Sequence, residues 1–121
     1  MQYLLLIYAN EAQIEGQSAA ERQSIFGEYM DLANNLRKTG QYVGGNRLDS
    51  VSKATTVQVR SGKRLTMDGP FTETKEQLGG YFLIEAGDLD EAIRIAERIP
   101  AARWGSVEVR PVIPVPVPAH V

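Results

Sequence analysis

Apolar residues recur along the chain with two periods, which predict strands alternating with helices. The run from Tyr3 to Tyr8 is apolar throughout and of strand length, which predicts a central strand covered on both faces. After a polar connection over residues 10–17, apolar residues recur at steps of three and four, which predicts a helix with one buried stripe. Ser18 and Glu21 form a capping box ahead of this helix, and Gly40 ends it. The stripe consists of Ile25, Phe26, Tyr29, Met30, Leu32, Ala33 and Leu36.

The remaining segments complete an α+β pattern. The dipeptide Ser61-Gly62 is a two-residue hairpin signal, and the paired glycines Gly44-Gly45 indicate a bulge or a close approach of another backbone or ligand. A second helix is predicted between its cap at residue 88 and the proline at residue 100. Further strands are predicted over residues 41–48, 54–60, 63–67, 81–85 and 105–110. This order is a ferredoxin-like βαββαβ sandwich with an extra β-hairpin.

The predicted plan leaves one face of the sheet bare. A single layer of helices covers only one face, and an uncovered apolar face of several hundred Å² normally marks an interface. We therefore expect a homodimer through the open sheet face. The folded domain is predicted over residues 1–112, and residues 113–121 form a Pro/Val-rich arm in an extended conformation. The pattern leaves open whether this arm lies across the partner subunit or is disordered.

Composition and charge exclude several classes of function. The chain has 121 residues, which predicts one domain, and a net charge of −2 gives no basic surplus for binding nucleic acid. The absence of cysteine excludes disulfides and thiol nucleophiles, and a single histidine argues against a zinc site, so we expect no metal and no cofactor. Residues 3–7 are too few for a signal core or a membrane span, which predicts a cytoplasmic protein without a membrane partner.

The stretch from Asp68 to Phe82 differs most from an ordinary connection between strands, and its first part, residues 68–76, is here named the DGPF loop. Asp68-Gly69-Pro70 has turn chemistry: the aspartate can accept from nearby amides, glycine allows unusual φ and proline fixes φ. Thr74 and Gln77 fit a second capping box, which predicts one helical turn ended by the following pair of glycines. A long, charged and rigidified connection is typical of a binding or catalytic loop.

Each candidate site residue has a functional and an ordinary interpretation. Asp68 is the candidate catalytic residue, as a general base or polar anchor, and it equally suits capping its own turn. Charged and tyrosine side chains are candidates for holding a ligand, and they also suit a solvated surface or the core. Trp104 is expected to pack, with the dimer contact as the candidate place. With the turn residues, the candidates for ligand binding are Tyr8, Tyr29, Arg47, Gly69, Pro70, Glu73, Lys75, Tyr81 and Arg103.

The segment DGPFTETKEQLGGYFLIE, together with ARWGSVEVRP at residues 102–111, resembles the DGPF branch of the YCII-related proteins. The resemblance covers nearly the whole chain, to about Val112. It implies a dimeric α+β barrel of ferredoxin-like subunits, mostly of unassigned activity and often encoded beside extracytoplasmic-function sigma factors. Activity in the wider family is proposed around a His–Asp pair. This chain departs from that pattern, since its one histidine is His120, in the arm.

Two functions from different classes follow from these observations. The first is a small-molecule site, with an unknown ligand and acid–base chemistry in a cleft around the DGPF loop. The second is a non-enzymatic regulatory module that binds an extracytoplasmic-function sigma factor. An enzyme needs the charges of the loop to converge on a pocket, whereas a docking protein can leave them spread over a surface.

Overall fold

Six strands and three α-helices alternate along residues 1–116, the part of the chain that the structure, a computed structural model, describes. His120 and the end of the predicted arm lie outside the described residues. Short 3₁₀ turns lie at Val51–Lys53 and Pro100–Arg103. The helices are α1 (Glu11–Glu15), α2 (Ala19–Thr39) and α3 (Leu89–Ala96). The strands are β1 (Gln2–Ala9), β2 (Tyr42–Arg47), β3 (Thr55–Arg60), β4 (Lys63–Asp68), β5 (Gln77–Glu85) and β6 (Ser106–Pro111).

Four of these strands form one antiparallel sheet in the order β2-β5-β1-β6. With α2 and α3 as the connecting helices, this order is ferredoxin-like and confirms the predicted α+β fold. Strand β1 lies between β5 and β6, so it is central, as its apolar run predicted. Strands β3 and β4 form a separate two-stranded sheet, which is the extra hairpin. Its turn places Ser61 and Gly62 at φ 53° and 74°, as a two-residue hairpin turn requires.

The core lies between one face of the four-stranded sheet and the helices. Tyr3, Leu5 and Ile7 of β1 are buried, and the residues between them are half-buried. The buried side chains pack in one cluster with Leu36 of α2 and Ile84 of β5. In the single chain, therefore, the helices cover one face of β1, and the expectation that both faces are covered is not met by this chain alone.

Two helices begin as their capping residues predict. The Ser18 hydroxyl accepts a hydrogen bond from the Glu21 amide at 3.1 Å, and Gly40 ends α2 at φ 78°. The Asp88 carboxylate accepts from the Glu91 amide at 2.9 Å and begins α3. These side chains satisfy amides that have no partner inside the helix, which confirms the predicted caps.

Two local predictions were wrong. The polar connection after Asn10 contains helix α1, because the Asn10 side chain accepts from the Gln13 amide at 3.2 Å and caps it. Conversely, no helical turn follows Thr74. The Gln77 side chain donates to the Thr74 carbonyl at 2.6 Å and accepts from the Glu11 amide at 3.0 Å. It therefore ties the DGPF loop to α1 and does not close a capping box.

Glycines let β2 and β5 approach each other closely. A Cβ atom on Gly45 would lie 2.8 Å from Cδ1 of Phe82, and one on Gly80 would lie 2.9 Å from the Asn46 carbonyl oxygen. The register between the two strands also shifts at the start of β2. These contacts confirm the bulge or close approach predicted for the glycine pair of β2. Gly80 belongs to β5 and does not end a helical turn.

Candidate functional site

A cavity of about 490 Å³ lies between the N-terminal half of α2 and the sheet. Helix α1 bounds it on one side, and the sheet beneath it includes Gly45, Gly79 and Gly80, which carry no side chains to fill the space. Cavities of this size commonly hold small molecules in proteins. Most of its wall is apolar, formed by residues that include Ile7, Ile14, Ile25, Phe26, Met30 and Phe82.

The cavity explains why the apolar stripe of α2 is only partly buried. Leu32 and Leu36 are buried as predicted, but Phe26 is 62% exposed and Met30 is 41% exposed. The prediction of one continuous buried stripe was therefore wrong for the first half of the helix. Because the sheet below this half presents glycine backbone, the stripe there lines open space and does not pack.

Tyr29 places a phenol in this cavity. Burial raises the pKa of the Tyr29 phenol above its ordinary value near 10. The Ala101 backbone amide and the charges of Arg103 and Arg47 lower this pKa, but their effect is smaller than that of burial. The phenol is therefore neutral at physiological pH and can donate a hydrogen bond to a ligand.

Trp104 also contributes to the cavity wall. Its ring packs, as predicted, and it does so against the core, but its indole Nε1 is buried and has no hydrogen-bond partner among the described residues. An indole N–H can only donate, and a buried donor without a partner costs stability. Because this nitrogen is buried away from the open space, Trp104 contributes an apolar ring to the wall.

Arg47 lies where the cavity meets an adjoining cleft of about 520 Å³. Its guanidinium makes no hydrogen bond or ion pair with any residue in the described range 1–116. Glu11, Glu15 and Asp49 line the same cleft. The Ser50 amide and Lys53 hold the pKa of Asp49 below its ordinary value, with a smaller effect from Arg47. Arg47 is thus a cation with free donors at the cavity edge.

Glu11 is a residue of this region that the sequence interpretation missed. Its carboxylate accepts from the Val51 amide and from the Ser50 hydroxyl, both at 3.0 Å, so it fastens α1 to the turn after β2. The usable signal was Asn10 followed three residues later by Gln13, which is an N-cap pattern. Both carboxylate oxygens are occupied, which favours a structural role.

Arg103, a predicted ligand-binding residue, is engaged elsewhere. Its two guanidinium nitrogens donate to the two carboxylate oxygens of Glu28, each at 2.7 Å, and its Cζ lies 5.2 Å from the centre of the Trp104 ring. The hydrogen bond from Arg103 lowers the pKa of Glu28. Arg103 is not among the residues that line the cavity. It joins α2 to the 3₁₀ turn behind that cavity.

The DGPF loop lies apart from both concave regions. Asp68, Gly69, Pro70, Glu73 and Lys75 line neither of them, and Asp68 is exposed at the end of β4 without a side-chain hydrogen bond within the described range. The loop begins with the Gly69 amide donating to the carbonyl of residue 54 at 2.7 Å, with Gly69 at φ 94°. The single chain does not bring Asp68 to the cavity, and its catalytic role stays a prediction.

The remaining predicted tyrosines lie on the face of the sheet that the helices do not cover. Tyr81 adjoins the cavity, but it pairs with Leu6 and alternates with the buried Phe82, so its side chain lies on the uncovered face. Its hydroxyl accepts there from the Asn46 side chain at 2.8 Å. Tyr8 is half-buried on β1, on the side that the helices do not cover. The structure therefore brings together Tyr29 and Arg47 of the predicted set.

Residues 1–116 can be compared with the requirements of a metal cluster and of a membrane-spanning helix. No three His, Cys, Asp or Glu side chains in that range lie close enough together to hold a metal ion. In the same range, no helix has the length and apolar character needed to cross a membrane.

The fold and the cavity define a ferredoxin-like α+β subunit with a ligand-sized space between helix and sheet. The chain belongs to the YCII-related domain family, whose model matches residues 1–116. It is similar to an uncharacterized protein of Rhizobium meliloti (strain 1021), with 34% identity over 113 residues that cover 92% of this chain and 91% of that protein. Membership of the YCII-related family is thus confirmed. The DGPF branch and the domain boundary at residue 112 stay predictions.

Proposed function

We propose that this YCII-related protein binds a small molecule in the cavity between α2 and the sheet. The observation that carries the proposal is the cavity itself: about 490 Å³, with apolar walls and, at its edge, the Arg47 guanidinium, which has no partner within residues 1–116. Apolar walls with a few convergent polar groups are characteristic of ligand sites. The proposed site therefore differs from the cleft around the DGPF loop that the sequence suggested.

Acid–base chemistry is the finer part of this proposal. Tyr29 is the group best placed for it, since its neutral phenol lines the cavity and can donate a hydrogen bond to a ligand oxygen. Asp68 would have to reach the ligand from outside the cavity. Of the two, Tyr29 is the group that the geometry supports.

Two exposed phenylalanines provide a matched test of the site. Phe26 lines the cavity and is 62% exposed, whereas Phe71 lies in the DGPF loop and is 76% exposed. Aspartate at either position should change stability little, since exposed positions tolerate substitution. We expect thermal shifts from a panel of carboxylate, alcohol and amine metabolites to persist in Phe71→Asp and to disappear in Phe26→Asp. The reverse pattern would move the site to the DGPF loop.

We also propose a homodimer through the open sheet face. The half-buried side chains of Leu4, Leu6 and Leu83 lie on that face, opposite the buried side chains of the same strands. An apolar sheet face of this kind is normally covered by a partner. A second copy of the chain would cover it without leaving an exposed apolar surface on either subunit.

The regulatory alternative is favoured by the β3–β4 hairpin. The hairpin forms its own sheet, and Val57 and Val59 are 58% and 61% exposed on it. Exposed apolar side chains on an isolated hairpin suit a protein partner, and the predicted sigma factor is the candidate. Native co-purification of an extracytoplasmic-function sigma factor with the protein, repeated with Val57→Asp, tests this. Failure to recover the sigma factor with the unaltered protein would count against the alternative.

A further inference from the structure

The cavity has at its edge a guanidinium, that of Arg47, which its own residues do not satisfy. Resting on the proposed function, we infer that its ligand carries a single carboxylate on an apolar body, with the carboxylate against Arg47 and the apolar body along the cavity wall. The inference depends on three observations: which polar groups are free, what charge surrounds them and what covers the rest of the cavity.

The free cation of the cavity is a donor. Arg47 is exposed at the cavity edge and has no hydrogen-bond or ion-pair partner within residues 1–116. A guanidinium can donate and cannot accept. A ligand that fits it must therefore supply acceptor atoms.

Two of the acceptor side chains that line the cavity with Arg47 are occupied. Both carboxylate oxygens of Glu11 accept bonds from the turn after β2, and the side-chain carbonyl of Gln77 accepts from the Glu11 amide. Glu15 and Gln17 also line the cavity and make no side-chain hydrogen bond within residues 1–116. The Glu15 side chain is exposed at the end of α1, where water can solvate it. Arg47 therefore offers a ligand acceptor a donor that Glu11 and Gln77 do not use.

The surrounding charge favours one negative charge on the ligand. Besides Arg47, the cavity is lined by Arg22, which donates to the Glu15 carbonyl at 2.7 Å, and by Arg37, which stacks 4.5 Å above the Tyr42 ring. No lysine of the described range lines the cavity. The carboxylates near Arg47 would repel a dianion more than a monoanion. A bidentate carboxylate matches a single guanidinium, whereas a phosphate dianion calls for more positive charge.

The rest of the wall requires an apolar ligand body. Phe26, Met30 and Ile14 line the cavity, and the first two are largely exposed without a ligand. Covering such side chains with hydrocarbon removes apolar surface from water and contributes to binding. An acid with a hydrocarbon tail or ring fits both the donors and the wall.

Matched ligand pairs separate the carboxylate from the apolar body. Decanoate is compared with decanol and decyl phosphate, and naphthoate with naphthalenemethanol, by titration calorimetry below the micelle concentration. The sequence contains a single tryptophan, Trp104, so its fluorescence reports decanoate directly. We expect at least one carboxylate to bind about 10- to 100-fold tighter than its alcohol and to change the tryptophan emission.

Substitution at Arg47 provides the matched control. We expect Arg47→Met to weaken the carboxylate about 10- to 100-fold while leaving the alcohol unchanged. Arg60→Met, on the β3–β4 hairpin, should change neither ligand.

Several results would overturn the inference. These are equal affinity for acid and alcohol, tighter binding of decyl phosphate than of decanoate, or equal effects of Arg47→Met and Arg60→Met. In each case the cavity still binds a ligand and the proposed function stands. Binding of none of these compounds, with no shift from the wider metabolite panel, would overturn the inference and the proposed function together.

Discussion

At the scale of single residues, close backbone approach makes Gly45 a sensitive position. An added methyl group at Gly45 would meet Cδ1 of Phe82 at 2.8 Å and the Tyr81 carbonyl oxygen at 2.9 Å, whereas at Gly44 it would meet no atom within 4 Å. We predict that Gly45→Ala lowers the free energy of unfolding by about 1–3 kcal/mol and that Gly44→Ala changes it far less. Urea denaturation of both variants measures this, and equal effects would contradict the strand contact.

The buried phenol of Tyr29 predicts a pH dependence. Its pKa in the folded state is raised above the unfolded value, so its contribution to stability is fully present below pH about 10 and is lost as the pH rises through the folded pKa. We expect the free energy of unfolding to fall more steeply in this alkaline range for the unaltered protein than for Tyr29→Phe. Parallel curves for the two proteins would show that Tyr29 is solvated.

Among the residues chosen from the sequence, the two arginines show what sequence alone decides and what it does not. Both Arg47 and Arg103 were candidates for an anion, because an isolated guanidinium suits a carboxylate. Only the structure shows that Glu28, far away in sequence, satisfies Arg103 and that nothing satisfies Arg47 within residues 1–116. Asp68 was chosen from turn chemistry, which identifies a turn correctly but says nothing about the distance to a cavity.

At the scale of elements, α1 holds one side of the cavity through Glu11. The exposed Glu15 lies one turn further along the same short helix and makes no side-chain hydrogen bond within the described range. We predict that Glu11→Ala lowers the free energy of unfolding by about 1–2 kcal/mol and speeds amide exchange in residues 11–16, because two bonds to residues 50 and 51 are lost. Glu15→Ala should do neither. Equal exchange rates in the two variants would argue against the anchor.

Helix α2 shows the limit of periodicity as a guide. Steps of three and four identify the face that turns inward, and Leu32 and Leu36 on it are buried. The same period continues to Phe26 and Met30, which line the cavity, because periodicity reports direction and not what lies opposite. Helix α1 was missed for a related reason: five residues are too short to show a period at all.

At the scale of the whole molecule, the order of elements was predictable and the partner surface is the open question. The apolar periodicity, the helix caps and the hairpin turn were enough to predict the ferredoxin-like order of strands and helices. Each of these signals depends on residues that are close together in the sequence. Which face binds a second chain depends on surfaces that meet between subunits. Leu6 lies on the uncovered face of the sheet and Leu89 lies on α3, on the helical side. Substituting each leucine therefore tests which side of the sheet binds a second chain.

We predict a homodimer that Leu6→Glu converts to a monomer and that Leu89→Glu leaves intact. A glutamate in the proposed apolar interface would be buried without a partner, whereas Leu89 is exposed on the helical side of the sheet. Sedimentation velocity measures the mass of each variant. A monomeric unaltered protein, or an equal effect of both substitutions, would contradict the proposed interface.

The most direct test of the proposed site is methionine methyl NMR during titration with a carboxylate ligand such as decanoate. The chain has three methionines: Met30 lines the cavity, Met67 lies on β4 beside the DGPF loop and Met1 begins the chain. The cavity account predicts that the Met30 methyl resonance shifts with saturation while those of Met67 and Met1 stay in place. A saturable shift of Met67 with Met30 unchanged would contradict it and place the ligand at the DGPF loop.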